Sequence, residues 1–221
     1  MLLTANITFT LFDGPCLSVL ADRITVDLAG HTITRPGSDD VQGIRGNGRT
    51  LIVVKNGTIT KFGDGIDLET STRNTIRNVI VSDGRVGITG GAGTLVKDRT
   101  VRNNRDNGIV LGDGGQVEGC LIEGSQEGAL SGGSRMLVTR NTIRGNSGVA
   151  INVGPSSTVS QNMVTNNELG IFVGQRSLVT GNVTKGADET DIRAFCRPPS
   201  RTTRRPVTWR RISSSSARAA S

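Results

Sequence analysis

An apolar residue returns every 21 positions through the middle of this chain, at Ile59, Ile80, Val101, Ile122, Ile143 and Val164. Five equal intervals in succession mark a repeat architecture, in which each unit buries its apolar side against its neighbours. Val96, Val117, Val138 and Val159 keep the same step, and Val179 follows at 20. A third column is the pair Gly-Ile, at Gly43-Ile44, Gly65-Ile66, Gly87-Ile88 and Gly108-Ile109, continued by Gly128-Ala129, Ala150-Ile151 and Gly170-Ile171. Each repeat therefore carries three short apolar patches with turn residues between them.

The patches alternate. In Ile66-Asp67-Leu68, Ile109-Val110-Leu111 and Ile151-Asn152-Val153 the first and third residues are aliphatic, the signature of a strand with one buried face. Three strands per repeat in constant order wind as a coil, each pairing in parallel with its counterpart one turn on. The expected fold is all-β, a right-handed parallel β-helix of about seven coils, each of about 21 residues. Turn columns support it: Asp83, Asn104, Ser125, Asn146 and Asn167 form one, and Asn78, Arg99, Cys120, Asn141 and Asn162 another. Stacked amides bond up and down such a column as they do in other stacked-strand structures.

The stretch Ile24 to Ile33, with Asn56-Gly57-Thr58-Ile59, Gly63-Asp64-Gly65-Ile66 and Arg140 to Ile143, resembles right-handed parallel β-helix repeat proteins of the pectate-lyase-like superfamily. The resemblance covers roughly residues 3 to 192. It implies a secreted, carbohydrate-associated protein, in a fold that hosts lyases, hydrolases, epimerases, adhesins and members without known activity. It also reaches accessory proteins of nitrous oxide reductase maturation, which are linked to copper. With one His, three Met and three separated Cys, this sequence offers no soft-metal cluster.

The net charge of +7 is unevenly placed. Residues 193–221 hold eight Arg and no acid, which leaves 18 basic and 19 acidic residues in 1–192, a net of −1. The expected organisation is a neutral β-helix domain, 1–192, and a basic Arg/Ser/Pro-rich disordered tail, 193–221, with the composition of a shifted reading frame. No signal peptide is expected at Met1, so localisation rests on the secreted resemblance. No membrane span and no specific nucleic-acid partner are expected. Cys16 and Cys196 fall at opposite ends of the stack, which argues against a disulfide between them.

Function is sought on outward columns. The residues after each Gly-Ile position read Arg45, Asp67, Thr89, Val110, Leu130, Asn152 and Phe172; those before each Gly read Gln42, Asp64, Val86, Asn107, Glu127, Val149 and Leu169. Charge gathers only early, as Asp64, Asp67 and Glu69 on one coil and Arg45 on the coil before it, beside the long loop that ends in Asp39-Asp40. Paired carboxylates suit glycoside hydrolysis, and carboxylates beside an Arg suit Ca²⁺-assisted proton abstraction from a uronate. The bland reading is a solvated face with an Arg45–Asp67 cross-strand pair. Motifs of the catalytic members are missing, and His31, the single histidine, reads as structural. The expectation is a non-catalytic or degenerate polysaccharide-binding scaffold. The alternatives are a lyase or hydrolase acting through Asp64, Asp67, Glu69 and Arg45, with Ca²⁺ if lyase-like, and an adhesin-like stalk. Open coil ends also predict end-to-end self-association.

Overall fold

The computed structural model describes residues 1–11, 13–37, 40–187 and 192–194. Every paired strand is parallel to its neighbours, and the chain winds as a three-sided coil. The first face stacks Thr25–Asp27, the front halves of Val53–Thr60 and Thr75–Ser82, then Leu95–Lys97, Gln116–Glu118, Leu137–Thr139, Thr158–Ser160 and Leu178–Thr180. Those eight strands make seven full turns. The second face stacks Ile7–Thr8, Thr32–Thr34, the back halves of the two long strands, then Thr100–Arg102, Leu121–Glu123, Thr142–Arg144, Met163–Thr165 and Val183–Lys185. The third is a nine-stranded sheet from Leu17–Val19 to Ile192–Ala194 that includes Ile44–Gly46, Asp64–Leu68, Val86–Gly90, Asn107–Leu111 and Leu169–Val173.

The interior is a set of aliphatic columns. Val54, Ile76, Val96, Val117, Val138 and Val159 line up from the first face, all fully buried. Ile44, Ile66, Ile88, Ile109, Leu130, Ile151 and Ile171 line up from the third. Each such side chain contributes about 1.5–3 kcal/mol relative to exposure, and the stack repeats that gain at every turn.

Two register details differ from the 21-residue count. The second-face column runs Ile33, Ile59, Val81, Val101, Ile122, Ile143 and Val164, so Val81 faces inward and Ile80 faces solvent at 39% exposure. The turn 69–74 is two residues longer than its counterpart 91–94, and a shorter second corner compensates, so steps of 22 and 20 replace two of 21. On the third face Ala129, not Gly128, continues the glycine column. Leu130 is therefore core, Ser131 takes the outward place assigned to it, and Gly128 takes the place assigned to Glu127. The glycine column exists because a Cβ there would enter the coil interior: at Gly65 it would lie 2.3 Å from Val81 Cγ1 and 2.7 Å from the Gly87 carbonyl oxygen. Ala129 and Ala150 show that one methyl is accommodated in the later coils.

The corners are built from stacked left-handed residues followed by stacked amides. At the first corner Asn56, Asn78, Asp98, Gly119, Arg140, Gln161 and Gly181 all have φ between 55° and 64°. The ladder occupies the next position, so Asn78 belongs to the left-handed column and Val79 precedes Arg99, Cys120, Asn141, Asn162 and Asn182. Asn162 Oδ1 accepts from the backbone N–H and the Nδ2 of Asn141, both at 2.9 Å, while Asn162 Nδ2 donates to the Val138 carbonyl at 3.0 Å. The second corner repeats the scheme through Ser125, Asn146 and Asn167, and Asn104 accepts from Gly84, but no bond joins Asn104 to Ser125; Asp83 likewise lies in the left-handed column and Gly84 takes its ladder place. Pairing along these buried columns satisfies backbone groups that no strand partner reaches.

The strand Ile192–Ala194 pairs with 171–173, so the coil takes in the first two residues of the expected tail, and Arg193 lies 5.8 Å over the Phe172 ring. The remainder of that segment, with Cys196, lies outside the described residues, as does Asp39. Among the described residues no helix is long and apolar enough to cross a membrane.

Candidate functional site

The strand Asp64–Leu68 positions the expected residues. Gly65 and Ile66 both face inward, which bends the strand and lets Asp64 and Asp67, three apart, both face out. Arg45 lies opposite Asp67 in register, with Nε 3.7 Å from Oδ2, so the cross-strand pair is present. Asp67 Oδ1 also accepts from Thr89 Oγ1 at 3.3 Å and from the Glu69 backbone N–H at 3.2 Å. The four expected residues thus share one face.

Their organiser is a residue that the sequence reading passed over. Arg85 reaches Asp64 Oδ1 at 2.7 Å through Nη2, Asp106 Oδ2 at 3.4 Å through Nη1, and Asp40 Oδ1 at 3.2 Å through Nε. The Nε contact is a charge contact and not an aligned hydrogen bond. The long loop thereby delivers Asp40 to the site. A signal was available: Asp64, Arg85 and Asp106 are themselves 21 apart. Beside them an open depression of about 500 Å³ is lined by residues that include Asp64, Glu69, Arg85, Thr89, Gly91 and Gly112.

Burial raises the Asp64 pKa above the ordinary carboxylate value, and the charges of Asp67, Asp40 and Asp106 add to burial, together outweighing Arg85. Burial works against the Arg85 charge as well, yet Asp64, Asp40 and Asp106 hold its pKa above the usual value. The folded chain thus keeps the Asp64 proton more tightly than the unfolded chain does. The linked stability is present at low pH and declines as pH rises through the carboxylate range. Asp83 has the opposite sign: burial alone would raise it, but hydrogen bonds from Ser82, Asn103 and Thr60 lower it. Its contribution is present above the ordinary range and is lost on acidification. In an NMR pH titration Asp64 is expected to titrate above Asp83, and Arg85→Gln to move Asp64 higher still. A parent Asp64 titrating below Asp83 would contradict this account.

The family model described as "Periplasmic copper-binding protein (NosD)" matches residues 25–192, most of the chain. The chain belongs to the NosD family. The search of curated proteins found no match. Among solved structures the Dettilon tailspike protein (gp208) is similar, with 12% identity and a TM-score of 0.47, the match covering 86% of this chain and 55% of that one. The chain thus spans about half the length of that tailspike.

The NosD description raises copper, and the side chains can be tested for it. Copper sites draw on thiolates, thioethers and imidazoles brought together in one place. Among the described residues no three His, Cys, Asp or Glu side chains gather in a metal-holding group. Cys16 and Cys120 are unpaired, and burial pushes both thiols up to about 11, far from the thiolate form at neutral pH. Met136 is buried in the core cluster while Met163 is exposed on the second face. Among the described residues these side chains do not come together as a copper site.

Proposed function

We propose that this chain is a non-catalytic scaffold that binds a polysaccharide along its third face. The observation that carries the reading is the open depression at Asp64 and Arg85, continued along the coil axis by an outward row of Thr89, Val110, Ser131, Asn152 and Phe172. Carboxylate, guanidinium, hydroxyl and amide groups in fixed positions match the donors and acceptors of sugar hydroxyls, and the Phe172 ring offers an apolar surface. A rigid sheet holds these groups without prior ordering, which lowers the cost of binding. The periplasmic description of the NosD family fits a role among glycans outside the cytoplasm.

The engagement of two of the carboxylates supports the non-catalytic part. Asp64 is held by Arg85, and Asp67 is shared among Arg45, Thr89 and the Glu69 backbone N–H. A general acid or nucleophile needs a carboxyl group free to reach the glycosidic oxygen or the anomeric carbon.

Incubation with neutral and uronate-containing oligosaccharides, with and without Ca²⁺, tests the proposal. Binding without chain cleavage is expected, weakened about tenfold or more by Arg85→Gln, about 1.4 kcal/mol. Cleavage that disappears in Asp67→Ala would replace the scaffold by a lyase or hydrolase. No affinity for any glycan would leave a structural stalk.

A further inference from the structure

Three Asn-Gly pairs occur in this chain: Asn47-Gly48, Asn56-Gly57 and Asn107-Gly108. In such a pair the glycine backbone nitrogen can attack the asparagine carboxamide carbon, because glycine puts no side chain in the way and bends freely. Whether the attack happens in a folded chain depends on local geometry, and the three pairs differ. Asn47 and Gly48 are both exposed and follow the strand Ile44–Gly46 without belonging to it. Gly48 has φ of 65°, and a Cβ built there would meet nothing within 4 Å, so no packed neighbour opposes a rearrangement of this turn. One coil later, the exposed Thr70 hydroxyl bridges the pair. Thr70 Oγ1 accepts from the Gly48 backbone N–H and donates to Asn47 Oδ1, both at 3.0 Å. A hydroxyl has one proton to give and lone pairs to receive, so it serves both partners at once. It connects the proton of the nucleophile with the oxygen of the electrophile.

The other two pairs are held in place. Asn56 and Gly57 lie within the strand Val53–Thr60, with Gly57 in register with Val79, and a Cβ at Gly57 would lie 2.4 Å from the Leu28 Cβ. The Asn56 carboxamide is tied at both ends, its Nδ2 to Asp27 Oδ1 and its Oδ1 to Asn78 Nδ2. Asn107 opens the strand Asn107–Leu111 in register with Gly128. Gly108 is buried, and a Cβ there would lie 2.7 Å from the Ala129 carbonyl oxygen. Ring closure at either pair requires the parallel ladder to open first.

We propose that Asn47 is a self-modification site, deamidated through a succinimide with Thr70 as the proton relay. Thr70 Oγ1 takes the Gly48 amide proton while passing its own proton to Asn47 Oδ1, and the Gly48 nitrogen bonds to Asn47 Cγ. The tetrahedral carbon then returns a proton to Nδ2 and expels it as ammonia, which leaves a five-membered imide. Water adds to one of the two imide carbonyls and opens the ring to aspartate or isoaspartate at position 47. One water is consumed and one ammonia released, with no oxidant, reductant or metal. The product places a new carboxylate two residues from Arg45, the cross-strand partner of Asp67. Isoaspartate also adds a backbone carbon at a corner where each coil is registered on the next. Modification therefore alters charge and shape at the edge of the third face, whatever that face binds.

The test incubates the full folded chain at mildly alkaline pH and follows all three Asn-Gly pairs by peptide mapping and mass spectrometry, with isoaspartate distinguished from aspartate. Asn47 is expected to convert to both products while Asn56 and Asn107 stay intact. Thr70→Val should slow conversion at Asn47 by about tenfold or more, the scale of a lost general acid–base group, and Thr70→Ser should restore it. Thermal unfolding of the variants checks that the coil is unchanged, which the exposure of Thr70 leads us to expect. In denaturant the relay is lost, so Asn47 should react more slowly than in the folded chain and at a rate similar to the other two pairs. An intact Asn47 in the folded chain would overturn the proposal. So would an undiminished rate in Thr70→Val, which would leave an exposed turn reacting without help, or equal conversion at Asn56 and Asn107 in the folded state.

Discussion

Val81→Asp is expected to abolish folding, while Ile80→Asp, one residue earlier, leaves stability within about 0.5 kcal/mol of the parent. Val81 is 1% exposed and stands between Ile59 and Val101 in the second-face column. A carboxylate at that position would have no partner in a dry aliphatic interior, a penalty of several kcal/mol after relaxation. A domain of this kind holds only about 5–15 kcal/mol in total. Ile80 points to solvent, so its replacement removes a partly exposed apolar group and buries no charge. Circular dichroism and urea denaturation of the two variants give the answer directly. An unfolded Ile80→Asp beside a folded Val81→Asp would show that the 21-residue count, and not the stacked register, describes this coil.

Asn162→Ala is expected to cost about 3–5 kcal/mol, since each buried polar group left without a partner costs about 1–3 kcal/mol. Its carboxamide accepts two hydrogen bonds from Asn141 and donates to the Val138 carbonyl and to Asn182 Oδ1. Removal leaves the Asn141 backbone N–H and the Val138 carbonyl without those partners, in a corner closed to water. At about 2–4 °C per kcal/mol for a chain of this size, the melting temperature should fall by roughly 6–20 °C. Asn182→Ala, one coil further on and only partly buried, should cost less because water reaches the groups it exposes. Thermal unfolding of both variants makes the comparison. Equal, small losses would mean that the ladder merely occupies the corner without supporting it.

The site shows where sequence reading reaches its limit. Asp64, Asp67, Glu69 and Arg45 were legible as a group because strand alternation and the repeat place outward residues of adjacent coils side by side. The Arg45–Asp67 pair follows from the same rule. Arg85 and Asp106 were not singled out, although their 21-residue spacing from Asp64 was visible, because they precede the third-face strands and read as turn residues. Their side chains reach back over the sheet, which spacing alone does not report. The contribution of Asp40 depends on the path of a loop with no periodicity at all.

The parallel coil, its three sides, its aliphatic columns and its amide ladders are all legible in the repeat. A strict period leaves few ways to bury identical faces, and only stacking pairs each strand with its own copy. The tertiary structure alone decided which of two adjacent apolar residues points inward, as with Ile80 and Val81, and which glycine-column position falls to Ala129. It alone joined Asp40, Asp64 and Asp106 around Arg85. The reason is physical: side-chain direction alternates with every residue, so one residue of difference in a turn reverses inside and outside, and turn lengths are fixed only when the coils are stacked.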